Sequence, residues 1–304
     1  MKKKIKILVI GGTGFIGYHI LKKALAKNWL TYSFSTKSPK KIRKLSKVKY
    51  LLGDISKKKT FNKIDNYYDF IVNAGGYVDH SNKKKVIDTH FKACKNLSKI
   101  FLKKEPKLFV QIGSSVEYGK QNSPQKENHK CLPKSTYGKA KYMATKLFFN
   151  LYKKNNFPVT IIRPYQVYGP SQDINRLIPT VINSCLKNKS FPCSHGRQKR
   201  DFIFINDLIE LIFKCFLNKR AKGKILNVGS SKPLEVKKII QNIKKKINKG
   251  TPQFGVIKLR KEEMQETFPS IKLAKTILNW KPTVNFSQGI DKTISYYKYN
   301  LKKF

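Results

Sequence analysis

Three groups of residues have types and spacings suited to chemistry. In the run Ser135-Thr136-Tyr137-Gly138-Lys139-Ala140-Lys141, Tyr137 and Lys141 are four apart and share one face of any helix that begins there. A phenol is a poor acid–base group at neutral pH. An ammonium about 4 Å away contributes about 4 kcal/mol toward the ionised form at an effective dielectric of about 20. Tyr137 would then exchange a proton with a sugar hydroxyl or carbonyl, and Lys141 could also hold a ribose. Lysine is so frequent that Tyr-x-x-x-Lys arises by chance somewhere, so position decides. This pair follows Ser114 by roughly two dozen residues, and Ser114 lies in GSSVEYGK (113–120), directly after the apolar run LFVQI. Ser114 is either the polar rim of a buried strand or the third member of the group. The remaining group is Gly11, Gly14 and Gly17, whose spacing allows a tight turn, close backbone approach to a pyrophosphate, and close helix–strand packing.

The elements around these residues alternate. Short apolar, often β-branched runs at 5–10, 30–35, 48–52, 69–73, 107–112 and 158–163 predict strands, and the amphipathic stretches 15–27, 86–104 and 136–154 predict helices between them. That order predicts an α/β fold with a doubly wound parallel sheet. The glycine loop then sits between a strand and a helix, the context that marks dinucleotide binding. Ser135 or Thr136 is the expected N-cap of the third helix. Beyond Arg163-Pro164 the pattern loosens, with helices expected at 176–188, 207–218, 234–248 and 286–302, and with ILNVG (225–229) returning to the sheet. Asp207 is the expected N-cap of helix 208–217. The reading is a dinucleotide-binding domain over 1–165 and a smaller, mainly substrate-binding α/β domain over 166–304, with about 200–230 rejoining the first.

At 304 residues and 40% apolar, the chain can bury a full core. No apolar run approaches the roughly 20 residues a membrane span needs, and MKKKIKILVIGG runs into glycines instead of a cleavage site, so a cytoplasmic, non-membrane protein is expected. Five scattered cysteines without Cys-x-x-Cys spacing suggest a reducing compartment and no structural metal. The net charge of +48 is spread along the chain without a recognition motif, which argues against nucleic acid as the main partner. No Asp or Glu stands between Gly17 and Asp54, where an acid would bind the ribose hydroxyl of NAD. Residues 36–44 hold five basic residues (Lys37, Lys40, Lys41, Arg43, Lys44), against about two expected from composition. That favours NADP(H) over NAD(H); lysine drift on an exposed loop is the other reading.

With the glycine loop, Asn73-Ala74-Gly75, Ser114, Tyr137/Lys141, RPYQVYGP (163–170), RDFIFINDL (200–208) and TPQFG…R (251–260) in this order, the chain resembles the extended short-chain dehydrogenase/reductase family, the NAD(P)-dependent epimerases and dehydratases of nucleotide sugars. The resemblance implies a Rossmann fold and a homodimer through helices 86–104 and 136–154. It implies that Ser114 hydrogen-bonds the reacting C4 oxygen, Tyr137 is the acid/base, and Lys141 is its electrostatic partner and ribose anchor. Gly11, Thr13, Gly14, Phe15, Ile16, Gly17, Lys37, Asp54, Ile55, Ala74, Gly75 and Pro164 would hold the cofactor. Ser115, Gln166, Arg200 and Arg260 would hold a nucleotide-diphosphate sugar, the two arginines as guanidinium forks.

Relatives that dehydrate carry Thr-Asp-Glu where this chain has Ser114-Ser115-Val116, so 4,6-dehydration is not expected on this reading; Glu117 is one position late and expected to point elsewhere. Two reactions remain open. One is NADPH-dependent reduction of a 4-keto-6-deoxy sugar nucleotide, as in the 4-ketoreductases that complete deoxysugars for surface polysaccharides. The other is C4 epimerisation by tightly held NAD. A non-catalytic nucleic-acid binder on the same fold is a distant third. Two departures mark the chain: His90 stands where relatives carry Asn, and Gln166 replaces the common Asn of the R-x-x-N-x-Y-G-P run.

Overall fold

The computed structural model describes residues 3–64, 66–77, 81–259 and 263–303. Seven strands form the main sheet: β1 (Lys6–Ile10), β2 (Leu30–Ser35), β3 (Val48–Leu52), β4 (Phe70–Asn73), β5 (Leu108–Ile112), β6 (Val159–Pro164) and, later in the chain, β11 (Ile225–Val228). They lie in the order β11-β6-β5-β4-β1-β2-β3, and every pairing is parallel. The chain starts in the middle and winds outward both ways, so the strand order reverses between β1 and β4. ILNV does rejoin the sheet, as its last strand beyond β6.

The central strands are apolar on both faces because helices cover both. β4, β5 and β6 are buried throughout. Alternate residues divide between two cores: Ile7, Val9, Val110 and Ile112 point to one, Leu8, Ile10, Ile71 and Phe109 to the other. The second core is closed by α3 (Ala93–Phe101) and α4 (Thr136–Asn155), with Phe148 stacked on Phe109 at 4.7 Å, and α2 (Lys83–Ile87) packs on α4. The helix expected as one piece over 86–104 begins at Lys83, ends at Phe101, and opens into a π turn at Asp88–Lys92.

The first core is covered by α1 (Phe15–Ala26) and α6 (Ile205–Leu217), and continues without a break into the C-terminal half. There β7 (Gln166–Tyr168) pairs with β10 (Phe202–Phe204), β8 (Ser190–Cys193) with β13 (Thr251–Phe254), and β9 (Lys199–Arg200) lies between β12 (Leu234–Glu235) and β14 (Glu266–Thr267). The helices are α5 (Leu177–Leu186), α7 (Val236–Ile247), α8 (Lys272–Leu278) and α9 (Phe286–Tyr299). The short α8 has no counterpart among the expected elements. Asp207 does not cap α6, which starts two residues earlier. It lies buried in the first turn and accepts hydrogen bonds from the Thr283 amide and hydroxyl and the Val284 amide. The five cysteines are free thiols, and no helix among the described residues is long and apolar enough to cross a membrane.

Candidate active site

Parallel strands deliver their loops to one edge of the sheet, and the expected site residues that are described gather there. Two clefts open along it. The first, of about 920 Å3, is lined by Gly11, Thr13, Gly14, Phe15, Ile16 and Gly17 on one side, and by Lys37, Asp54, Ile55, Ala74 and Gly75 on the other. The second, of about 790 Å3, is lined by Ser115 and Arg200. Gln166 lines both, so the clefts meet at β7. Pro164 ends β6 just before that junction. Arg260 lies outside the described residues.

The first cleft has the form of a pyrophosphate cradle. A Cβ on Gly17 would lie 2.3 Å from the Gly11 carbonyl oxygen, so only glycine lets the helix start this close to the turn. α1 has no side-chain cap and no acid in its first turn, leaving its first amides for an anion. The Asn73 side chain holds the facing turn: its Oδ1 accepts from the Gly75 amide (3.2 Å) and its Nδ2 donates to Gln111 Oε1 (2.9 Å). These residues fit a dinucleotide.

The basic run after β2 is less uniform than its composition suggests. Arg43 is buried, donates from Nε to the Ser171 carbonyl (2.9 Å), and pairs with Asp173 (3.0 Å). Lys40 pairs with the same carboxylate at 2.9 Å. Among the described residues, Lys37 is the one of the five that lines the cleft. The opposite wall includes Gln172, Asp173 and Arg176, from the loop after RPYQVYGP, which sequence reading did not assign.

The chemistry-bearing residues meet at the end of β5. Ser135 caps α4, accepting from the Gly138 amide at 3.0 Å, and Tyr137 follows in the first turn. One turn on, Lys141 is 5% exposed; its Nζ donates to the Ile112 carbonyl (2.9 Å) and lies 5.9 Å from the centre of the Tyr137 ring. The first turn of α4 packs on the 3-10 turn Ser115–Tyr118, Gly138 against the Val116 carbonyl. Half-buried Ser114 caps that turn, its Oγ accepting from the Val116 amide at 3.4 Å. His90, in the π turn, sets its ring edge-on to Tyr137 at 5.0 Å, with Nε2 3.1 Å from the Tyr77 carbonyl oxygen. Behind Lys141, burial pushes the Cys94 thiol up to about 12, so it stays protonated.

Ser115 and Val116 both line the second cleft, so no carboxylate occupies either position. Glu117 turns inward, is fully buried, and pairs with Arg163 at 2.9 Å. Tyr118 is also buried; desolvation pushes its phenol up to about 12, and it donates to Asn227 Oδ1 at 2.8 Å. It is a packing residue. Arg200 faces the cleft already partnered, by Glu263 and by the Lys199 carbonyl. Gln125, Lys134 and Gln198 are among the other residues of this lining. Gln198 lies two residues before Arg200 in a noted motif, whereas nothing in the loop 120–134 signalled the other two.

Comparison with known proteins agrees with this geometry. The family model described as the NAD-dependent epimerase/dehydratase family matches residues 7–229. The dTDP-4-dehydro-6-deoxyglucose reductase of Escherichia coli is 28% identical over 96% of this chain and 97% of its own. The dTDP-D-glucose 4,6-dehydratase of Homo sapiens is 28% identical over 97% and 90%. Among solved structures, the UDP-glucose 4-epimerase of Thermotoga maritima with UDP-glucose superposes with a TM-score of 0.90 at 19% identity, covering 97% of this chain and 99% of that one. Reductase, dehydratase and epimerase thus share this architecture. The chain belongs to the NAD-dependent epimerase/dehydratase family, among the extended short-chain dehydrogenase/reductase enzymes of nucleotide sugars.

Proposed function

We propose that the chain reduces a nucleotide-linked 4-keto-6-deoxy sugar at C4. The observation that carries this reading is the group at the end of β5: Ser114, Tyr137 and buried Lys141 are held there by the 3-10 turn and the first turns of α4, while the next two residues, Ser115 and Val116, line the second cleft. Carbonyl reduction needs one hydrogen-bond donor, one proton donor and a cation to stabilise the resulting phenolate. Dehydration needs in addition an acid and a base at C5 and C6; the carboxylate nearest in sequence, Glu117, is bound to Arg163, and Glu263 in the cleft lining is bound to Arg200.

On this reading Ser114 donates its hydroxyl proton to the C4 oxygen, since its lone pair already accepts from Val116. Tyr137 gives its proton to the same oxygen as charge develops on it. Lys141, fixed by the Ile112 carbonyl, stabilises the phenolate left behind. A nicotinamide held in the first cleft would supply the hydride. Gly11, Thr13, Gly14 and Gly17 would hold the pyrophosphate, Asp54 and Ile55 the adenine, and Lys37 the 2′-phosphate of NADP, with no acid at the end of β2 to oppose it. Ser115, Gln166 and Arg200 would hold the nucleotide sugar, with Arg260. The reading also carries a homodimer through α2, α3 and α4.

A second reading, C4 epimerisation with a retained cofactor, is favoured by one feature. The Arg43 and Lys40 pairs with Asp173 tie the loop that forms the far wall of the first cleft to the segment after β2, as would suit a dinucleotide that stays bound. Incubation of the purified protein with NADPH and a panel of CDP-, dTDP-, GDP- and UDP-linked 4-keto-6-deoxy sugars separates the two. Stoichiometric loss of reduced-nicotinamide absorbance supports the reductase. Interconversion of UDP- or GDP-hexoses without added cofactor replaces it with the epimerase.

A further inference from the structure

Glu117 is the one carboxylate in GSSVEYGK, and its environment assigns it a task other than acid–base chemistry. Its side chain is fully buried and its two oxygens are divided. Oε1 accepts from the Ser114 amide at 2.8 Å, and Oε2 accepts from Arg163 Nε at 2.9 Å. The first bond closes a capping box: Ser114 Oγ receives an amide of the turn while the Glu117 side chain receives the amide of Ser114. Space for the carboxylate comes from Gly113, where a Cβ would lie 2.5 Å from Oε1.

Arg163 cannot drift. It stands on β6, its side chain is 2% exposed, and its guanidinium lies 4.6 Å from the centre of the Tyr118 ring. Tyr118 is in turn bonded to Asn227 of β11, and Asn227 Nδ2 donates to the Gln125 carbonyl at 2.9 Å. Three adjacent strands, β5, β6 and β11, therefore fix the carboxylate that holds the backbone of Ser114.

The strand end alone does not aim a serine hydroxyl, because the residue after β5 can leave the sheet in several directions. A buried ion pair costs desolvation on both sides and is weak evidence of net stability, so its retention at this point calls for a local role. We propose that Glu117 and Arg163 are positioning residues that hold the Ser114 backbone and so aim its hydroxyl for the reaction. The proposal rests on the role of Ser114 given above, and the test separates the two.

The test is a double-mutant cycle between Glu117→Gln and Ser114→Ala, read as kcat and KM with the substrate the panel identifies. Ser114→Ala is expected to lower kcat on the order of 100-fold. Glu117→Gln, which keeps shape but breaks the ion pair, is expected to lower kcat about 10-fold with KM for the nucleotide sugar changed less than about threefold. Added to Ser114→Ala, it should cost less than about twofold more, because the hydroxyl it serves is gone. Multiplying losses would overturn the positioning role while leaving Ser114 catalytic. Full activity of Ser114→Ala would overturn both. Gly113→Ala displaces the carboxylate without changing a charge and should show the same dependence on Ser114, which guards against a misfolded Glu117→Gln. A readout that needs no substrate is exchange of the Ser114 amide proton, expected to be at least about 10-fold faster in Glu117→Ala. Unchanged protection would contradict the proposal.

Discussion

Replacing Lys141 with methionine removes one charge at nearly constant side-chain length. The ammonium lies 5.9 Å from the centre of the Tyr137 ring. At an effective dielectric of about 20, a unit charge at that distance stabilises negative charge developing on the phenol by about 3 kcal/mol. With each 1.4 kcal/mol worth roughly tenfold in rate, C4 reduction should slow about 100-fold. Lys141 also donates to the Ile112 carbonyl, which keeps its bond from Gln111 Nε2 (3.1 Å), so methionine costs about 0.5–1.5 kcal/mol of stability. The assay must separate the two effects. Initial rates of NADPH oxidation with saturating sugar nucleotide, thermal melts and far-UV circular dichroism do so, with Lys141→Arg as a charge-keeping control. The expected result is a folded methionine variant melting a few degrees lower, with kcat down about 100-fold and KM little changed, and an arginine variant that recovers part of the rate. A folded methionine variant within about fivefold of wild-type turnover would refute the reasoning, because the ammonium would then have no part in ionising the phenol.

Other regions make separate predictions. Gly17→Ala places a methyl 2.3 Å from the Gly11 carbonyl oxygen, so dinucleotide affinity measured by fluorescence or calorimetry should fall by at least about 100-fold. Asp207→Ala leaves the Thr283 and Val284 amides without their acceptor, and should lower the melting temperature by roughly 5–10 °C without changing KM. His19 is held at about 4 by burial, so the native state refuses a proton that the unfolded chain accepts below about 6.5. Its contribution is therefore present above pH 6.5 and is lost as pH falls toward 4, by at most about 3 kcal/mol. Melts from pH 7 to 4.5 should show wild type losing more stability than His19→Gln, and parallel curves would contradict this.

The doubly wound sheet was legible because apolar runs and amphipathic stretches alternate so regularly that the six expected strands fall within a residue or so of β1 to β6. Ser114, Tyr137 and Lys141 were legible for a related reason: a parallel sheet fixes where strand ends and helix starts meet, so order along the chain stands in for proximity. What sequence periodicity could not show were contacts between distant segments. Asp207 looked like a helix cap because caps are local; its partners, Thr283 and Val284, lie more than 70 residues away. The basic run at 36–44 looked like a phosphate site because composition does not reveal that Arg43 and Lys40 meet Asp173. Strand alternation led to the expectation that Glu117 points elsewhere; it does turn inward, but from a 3-10 turn, and its bond to Arg163 needed β6 beside β5 to become visible.

The central claim, hydride delivery to C4 without loss of water, is tested most directly by following the hydride. NADPH carrying deuterium at the nicotinamide C4, in both stereochemical forms, is incubated with a nucleotide-linked 4-keto-6-deoxy sugar, and the product is examined by mass spectrometry and NMR. The account predicts one deuterium, at sugar C4, from one of the two forms, with one NADPH consumed per product and neither result in Tyr137→Phe. A product without deuterium at C4, or a nucleotide hexose that instead loses water, would contradict it.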